Sequence, residues 1–142
     1  MARYSRHPEM QDVAFHLSSI GHNVTSRWIW GTHQATDEAI GTGTITEFER
    51  RLAQEDIDDL TNADMCIGFS EPLRTASRGG RHVEFGMALA LGKILVVVGG
   101  YEHVFHALPQ VRHVKDTKAL FAAIRSGLGA VLVKTEIESI GE

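Results

Sequence analysis

From Pro8 onward, apolar residues at Met10, Val13, Phe15, Leu17 and Ile20 recur at helical spacing, and Gly21 stops the pattern as a C-cap glycine does. A short β-rich stretch is expected over Asn23 to Trp28. Residues 29 to 43 mix Gly, Thr, His and Gln with little periodicity and read as a long loop beside a functional face. Helical spacing returns from Thr44 to Asn62 through Ile45, Phe48, Leu52, Ile57 and Leu60, with a break expected near Glu55. Met65 to Phe69 is short and apolar on both faces, as a buried parallel strand should be. A loop over Ser70 to Gly80 leads to a helix from Arg81 to Leu91, ended by Gly92. Lys93 to Val98 is the clearest strand in the chain. A turn at Gly99-Gly100, a short strand over Val111 to Val114 and a helix from Thr117 to Ser126 complete the order.

Strands that alternate with helices imply right-handed crossovers and a parallel sheet covered on both faces. The expected fold is therefore α/β, a Rossmann-like or flavodoxin-like three-layer sandwich. In such sheets ligands lie beyond the carboxyl ends of the strands, so the loops after Trp28, Phe69 and Val98 are expected to line the site.

The bulk properties narrow the function. With 142 residues, 43% hydrophobic and 23% charged, the chain is expected to form a single domain over residues 1–142 with a core that needs no disulfide or structural metal. A net charge of -4 with scattered signs offers no basic face for a nucleic-acid polymer, so small ligands are the better partners. Cys66, the single cysteine, lies inside an apolar run and reads as a buried structural thiol, which fits a reducing cytoplasm. No apolar run approaches the ~20 residues of a membrane span, so neither a membrane partner nor secretion is expected.

Candidate chemistry concentrates in Ser77 to Lys93. Between Val83 and Gly92, Glu84 is the only charged residue, and helical spacing aligns it with Ala88 and Leu91 on a stripe expected to face the sheet. Desolvation would raise its pKa, while the helix N-terminus and Arg78 or Arg81 would lower it. A partly buried carboxylate that stays ionised can attack the anomeric carbon of a sugar; pairing with a neighbouring Arg is the equally weighted plain alternative. Gly79 and Gly80 permit close backbone approach at the helix start, and Ser77, Arg78 and Arg81 add donors that suit a phosphate. Asp56, Asp58 and Asp59 form a second acidic group, which is either solvated surface or a handler of a sugar hydroxyl or leaving-group proton. Arg27, Trp28 and Trp30 could stack on a base, with His33 beside them, or serve as core and loop plugs. His103 and His106 lack a third ligand at sensible spacing and read as loop histidines, so no metal is expected.

Together, Asp56-x-x-x-Leu60-x-x-Ala63-Asp64 before a strand and Gly80-x-x-x-Glu84-x-Gly86-x-Ala88 before the next strand resemble the nucleoside 2-deoxyribosyltransferase-like superfamily, which includes 2'-deoxynucleoside 5'-phosphate N-hydrolases. The match runs from Ala2 to about Ala123. The resemblance implies a Rossmann-like fold, commonly dimeric or a higher homo-oligomer, with no cofactor. It makes Glu84 the nucleophile and Asp56 its acidic helper, and it sets the loop before Glu84 around the sugar's 5' substituent. It also makes the segment Tyr4, Ser5 and Arg6 part of the substrate loop. Relatives that take free nucleosides carry Asp six positions before the nucleophile; Arg78 stands there in this chain, and an Arg would attract a phosphate that an Asp would repel.

The family's usual first strand is absent ahead of Ala2. Two alternatives stand: the strand precedes the residues given, or the apolar Ala130-Val-Leu-Val133 fills its place. The reading that emerges is an N-glycosidase acting on a nucleoside 5'-monophosphate, by hydrolysis or by deoxyribosyl or ribosyl transfer. A nucleotide-binding or sensing module without turnover is the alternative, and a flavin carrier is a weaker third.

Overall fold

A computed structural model of the chain describes residues 1–31, 43–76 and 79–127. His33, Ser77, Arg78 and the segment 130–133 lie outside the described residues.

A 3-10 turn at Tyr4–Arg6 leads directly into α1, His7–Ser19, whose Pro8 suits the first helical turn because its missing N–H would have no partner there. Helix α2, Glu47–Asn62, begins with a reciprocal capping box: Thr46 accepts from the Glu49 N–H at 3.3 Å while the Glu49 carboxylate accepts from the Thr46 N–H at 2.7 Å. It runs unbroken through Glu55, so the break expected there does not occur; Glu55 is an ordinary helix former with no Pro or Gly beside it. Then come β1, Met65–Phe69, α3, Gly80–Ala90, β2, Ile94–Val98, β3, Val111–Val114, and α4, Thr117–Arg125, capped by Asp116.

The three strands are parallel in the order β1-β2-β3, with Met65 opposite Ile94 and Val98 opposite Val114. The link from β2 to β3 contains only a 3-10 turn, Val104–Ala107. Period-two alternation splits the central strand between two cores. Val96 and Val98 face Met10, Val13, Ala14 and Leu17 of α1 and Leu120, Ala123 and Ile124 of α4. Leu95 and Val97 face Leu60 of α2 and Phe85 and Ala88 of α3. Helices on both faces of a parallel sheet make the three-layer α/β sandwich expected from the pattern.

Residues 23–28 form no strand. They run as irregular backbone into a 3-10 turn at Arg27–Ile29, and their polar groups bond to α2 instead of to a neighbouring strand. Thr25 and Val24 raised the β propensity of this stretch, but a side-chain partner on a helix outcompeted sheet pairing.

Candidate active site

A cavity of about 510 Å³ runs along the edge of β1 away from β2, between α1 and α2. Chain direction divides it into two ends. Helices α1 and α3 begin at the carboxyl end of the parallel sheet, whereas α2 finishes where β1 starts. Trp28, Asp56 and Glu84 thus line its upper part, while Leu17, Leu60, Met65 and Ile94 line its lower part.

Glu84 sits one turn into α3. Its neighbours Phe85 and Ala88 are the residues that α3 buries against the sheet, with Ala88 at 0% exposure. Leu91, expected to extend the stripe, is 51% exposed. Each step of three residues lags about 60° around the helix, so from the buried Phe85 and Ala88 the next such position, Leu91, lies off the packed face, and it is already the C-cap. Glu84 is accordingly turned toward the cavity at the margin of the packed face. Burial pushes its pKa up, the Met1 ammonium opposes that, and the Asp59 charge adds to it. No described basic side chain forms an ion pair with Glu84; Arg81, one of the residues expected to pair with it, is bonded to Glu102 at 2.5 and 2.6 Å.

The acidic group on α2 separates into three different residues. Asp58 is exposed beside Gln54, Asp56 lines the cavity, and Asp59 is buried. Asp59 accepts from the Arg27 backbone N–H and from Arg27 Nε, both at 2.8 Å, while Thr25 Oγ1 donates to the Asp59 carbonyl at 2.9 Å. These bonds hold the segment that carries Trp28 against α2. The sequence reading did not single out Asp59, although Leu52, Asp56, Asp59 and Ala63 lie on one helical stripe, a spacing that could have separated it from Asp58.

The remaining expected site residues are placed differently. Tyr4 packs near Trp28, with ring centroids 6.2 Å apart, and its hydroxyl donates to the Gly31 carbonyl at 3.1 Å. Ser5 is exposed. Arg6 is engaged by Glu9 at 2.8 Å, by Glu71 at 3.2 Å and by the Ser70 carbonyl at 3.1 Å. None of Tyr4, Ser5 and Arg6 lines the cavity. Gly80 opens α3 behind Gly79, whose φ of 84° is the left-handed conformation that a glycine supplies without strain. Trp30 is exposed against Phe15.

Among the described residues, the loops after Phe69 and Val98 bond to each other and do not line the cavity. Ser70 N–H donates to the Val98 carbonyl at 2.9 Å, and the Ser70 hydroxyl donates to the Gly100 carbonyl. The hollow beside them measures only about 10 Å³. Here the sequence reading missed a cluster: His103 and His106 each meet Phe85 edge-on, His82 meets His103 in the same way, and the His103 and His106 rings are 3.9 Å apart at their centroids. Burial and then the neighbouring His103 hold His106 down at about 4. Among the described residues no group of His, Cys, Asp and Glu is arranged to hold a metal ion. Cys66 is buried and burial raises its thiol, which makes it a poor nucleophile.

A parallel α/β sandwich with a half-buried carboxylate and a second acid on a cavity beside the edge strand is the class of structure this chain presents. The solved structure of the Clostridium botulinum CMP N-glycosidase BcmB shares the fold, with a TM-score of 0.57, 17% identity, and coverage of 88% of this chain and 96% of that one. No protein-family model matches the chain, and no curated protein does. Among the described residues, no helix is long and apolar enough to cross a membrane.

Proposed function

We propose that the chain is a nucleotide N-glycosidase with Glu84 as nucleophile and Asp56 as acid. A Glu84 carboxylate oxygen attacks the anomeric carbon of the sugar as the bond from that carbon to the base nitrogen breaks. The departing base takes the bonding electron pair and a proton from the Asp56 carboxylic acid. Water then attacks the same carbon, loses its proton to Asp56 and frees Glu84. Trp28 supplies an aromatic wall for the base.

The observation that carries this reading is the position of Glu84, a half-buried carboxylate without a described ion pair, on the same cavity as Asp56 and Trp28. The fold shared with a CMP N-glycosidase supports it. A 5'-monophosphate is the preferred substrate on this reading, because Arg78 supplies positive charge where a free-nucleoside enzyme would carry an acid. The same reading carries with it a cytoplasmic homodimer without metal or organic cofactor, and light scattering on the purified chain tests the dimer.

Chromatography of the base released from each common ribo- and deoxyribonucleoside monophosphate is the direct test. Release is expected from the intact chain and not from Glu84→Gln, which should still bind nucleotide by calorimetry. Base release undiminished in Glu84→Gln would sink the mechanism. Binding without release by the intact chain would leave a sensing module instead. Equal rates on nucleoside and monophosphate would remove the role given to Arg78, and a new nucleoside formed on adding a second free base would make the enzyme a transferase.

A further inference from the structure

Arg81 and Glu84 stand three positions apart on α3, the spacing at which opposite charges on one helix meet. The nearest cation in sequence is thus the natural partner of Glu84, yet Arg81 is engaged elsewhere. Its two terminal nitrogens donate to the two carboxylate oxygens of Glu102, at 2.5 and 2.6 Å, and the pair is largely shielded from water, with side-chain exposures of 9% and 14%. A two-pronged contact of this kind fixes the guanidinium in orientation as well as in position.

Glu102 reaches that place on a loop whose anchors do not involve Arg81. The Gly99 N–H donates to the Val114 carbonyl at 2.9 Å, the Ser70 hydroxyl donates to the Gly100 carbonyl, and the Glu102 N–H donates to His106 Nδ1 at 3.3 Å. Burial pushes the Glu102 carboxyl up, but Arg81, the Glu71 backbone and His82 outweigh it and hold the group below its ordinary value. An ionised acceptor whose backbone is already fixed gives up little freedom on pairing, which favours it over Glu84.

The consequence falls on Glu84. The charged and titratable groups around it are Asp56 and Asp59 from α2, Cys66 from β1 and the Met1 ammonium, with Arg81 and His82 on its own helix. A guanidinium bonded to Glu84 would occupy a carboxylate lone pair and stabilise the negative charge, and both effects weaken a nucleophile. We infer that Glu102 is a positioning residue for Glu84: by holding Arg81 in a two-pronged ion pair, it keeps the helix's own cation off the carboxylate that faces the cavity. Its effect on catalysis rests on the glycosidase reading, in which that carboxylate is the nucleophile; the separation of the two charges does not.

The test is an NMR titration of the Glu84 carboxyl carbon in the free protein, with base release measured alongside. In Glu102→Gln, Arg81 loses its anionic partner and is expected to turn to Glu84, which should titrate about 1–3 pH units lower than in the parent. The kcat for base release should fall more than KM rises. Glu102→Asp keeps the charge and should recover most of the parent titration. The doubly neutral Arg81→Gln/Glu102→Gln should return Glu84 to the parent value, a recovery that a merely structural clamp would not produce. Glu84 titrating at the parent value in Glu102→Gln would overturn the inference. So would a rise in the doubly neutral protein, because Arg81 would then act on Glu84 even while bound to Glu102; this comparison stands whether or not Glu102→Gln alone folds. A lowered Glu84 titration in Glu102→Gln, with no base released by the parent from any nucleotide, would remove the glycosidase reading and leave the separation of Arg81 from Glu84 intact.

Discussion

Asp59 on α2 holds Arg27 twice, through the Arg27 backbone N–H and through Nε, each at 2.8 Å. A single buried carboxylate thereby terminates the irregular segment that carries Trp28 and sets that ring beside the cavity. Loss of its acceptors leaves the Arg27 N–H without its partner, while the half-exposed guanidinium returns to water. Asp59→Ala is expected to lower stability by roughly 2 kcal/mol and to raise KM for a nucleotide more than it lowers kcat. Asp59→Asn, which keeps one acceptor for the N–H, should recover part of both. Thermal unfolding and steady-state kinetics of the two variants provide the check, and unchanged KM in Asp59→Ala would show that the segment does not depend on this contact.

Glu84 should be a stability liability at neutral pH. Burial raises its folded pKa above its ordinary value of 4.5, so the folded state binds the proton more tightly than the unfolded chain does. Its contribution is therefore most favourable below pH 4.5 and is lost as pH rises through the folded value. Glu84→Gln should unfold at a higher temperature than the parent at pH 7, with the difference shrinking on acidification toward pH 4. A parent that is more stable than Glu84→Gln at pH 7 would contradict this assignment.

The same shift bears on activity. A nucleophilic carboxylate must be ionised, so kcat/KM should fall as pH drops through the raised pKa, above the 4.5 of an ordinary glutamate. A pH profile of base release whose acid limb lies at or below 4.5 would separate Glu84 from the nucleophilic step.

His106 should make the fold sensitive to acid. Its pKa is depressed from 6.5 to about 4 by burial and then by His103, so the unfolded chain binds the proton first. The stability it contributes is complete above pH 6.5 and is lost as pH falls through about 4. Its Nδ1 accepts from the Glu102 N–H at 3.3 Å, which also requires the neutral ring. Between pH 7 and pH 4 the parent should lose about 2 kcal/mol through this group, or roughly 6 °C in Tm. His106→Asn, which keeps an acceptor but cannot take up the proton, should show a smaller decline over the same range. Parallel pH dependence in the two proteins would remove His106 from the account.

Ala88 leaves α3 no room to grow toward the sheet. It has no exposed surface and packs with Cys66, Leu95 and Val97. Ala88→Leu should cost about 1–3 kcal/mol through overpacking and displace the neighbouring Glu84, so base release should fall together with Tm. An unchanged Tm would mean that the α3 interface is looser than its burial implies.

Much of this architecture was legible in the sequence because its signals are local. The apolar run Ile94 to Val98, the helical spacing from Met10 to Leu17 and the capping pair Thr46 and Glu49 each depend on residues a few positions apart. The stretch 23–28 was misread for the opposite reason: Thr25 and Arg27 satisfy their polar groups on Asp59, more than thirty residues away. The histidine cluster was similarly hidden, since His82 and His103 meet only when α3 and the loop after β2 are brought together.

By itself the sequence determined the alternation of helix and strand, the isolation of Glu84 among apolar neighbours and, through its resemblance to a family, the chemistry to expect there. Only the tertiary structure decided that Asp56 and Trp28 share a cavity with Glu84 while Asp59 serves as an anchor, and that Arg6 and Arg81 are each bound to a carboxylate. Periodicity is a property of neighbouring residues and survives in a one-dimensional reading. The partner of a charge and the depth of a carboxylate depend on which distant segments the fold packs together, and no local pattern records them.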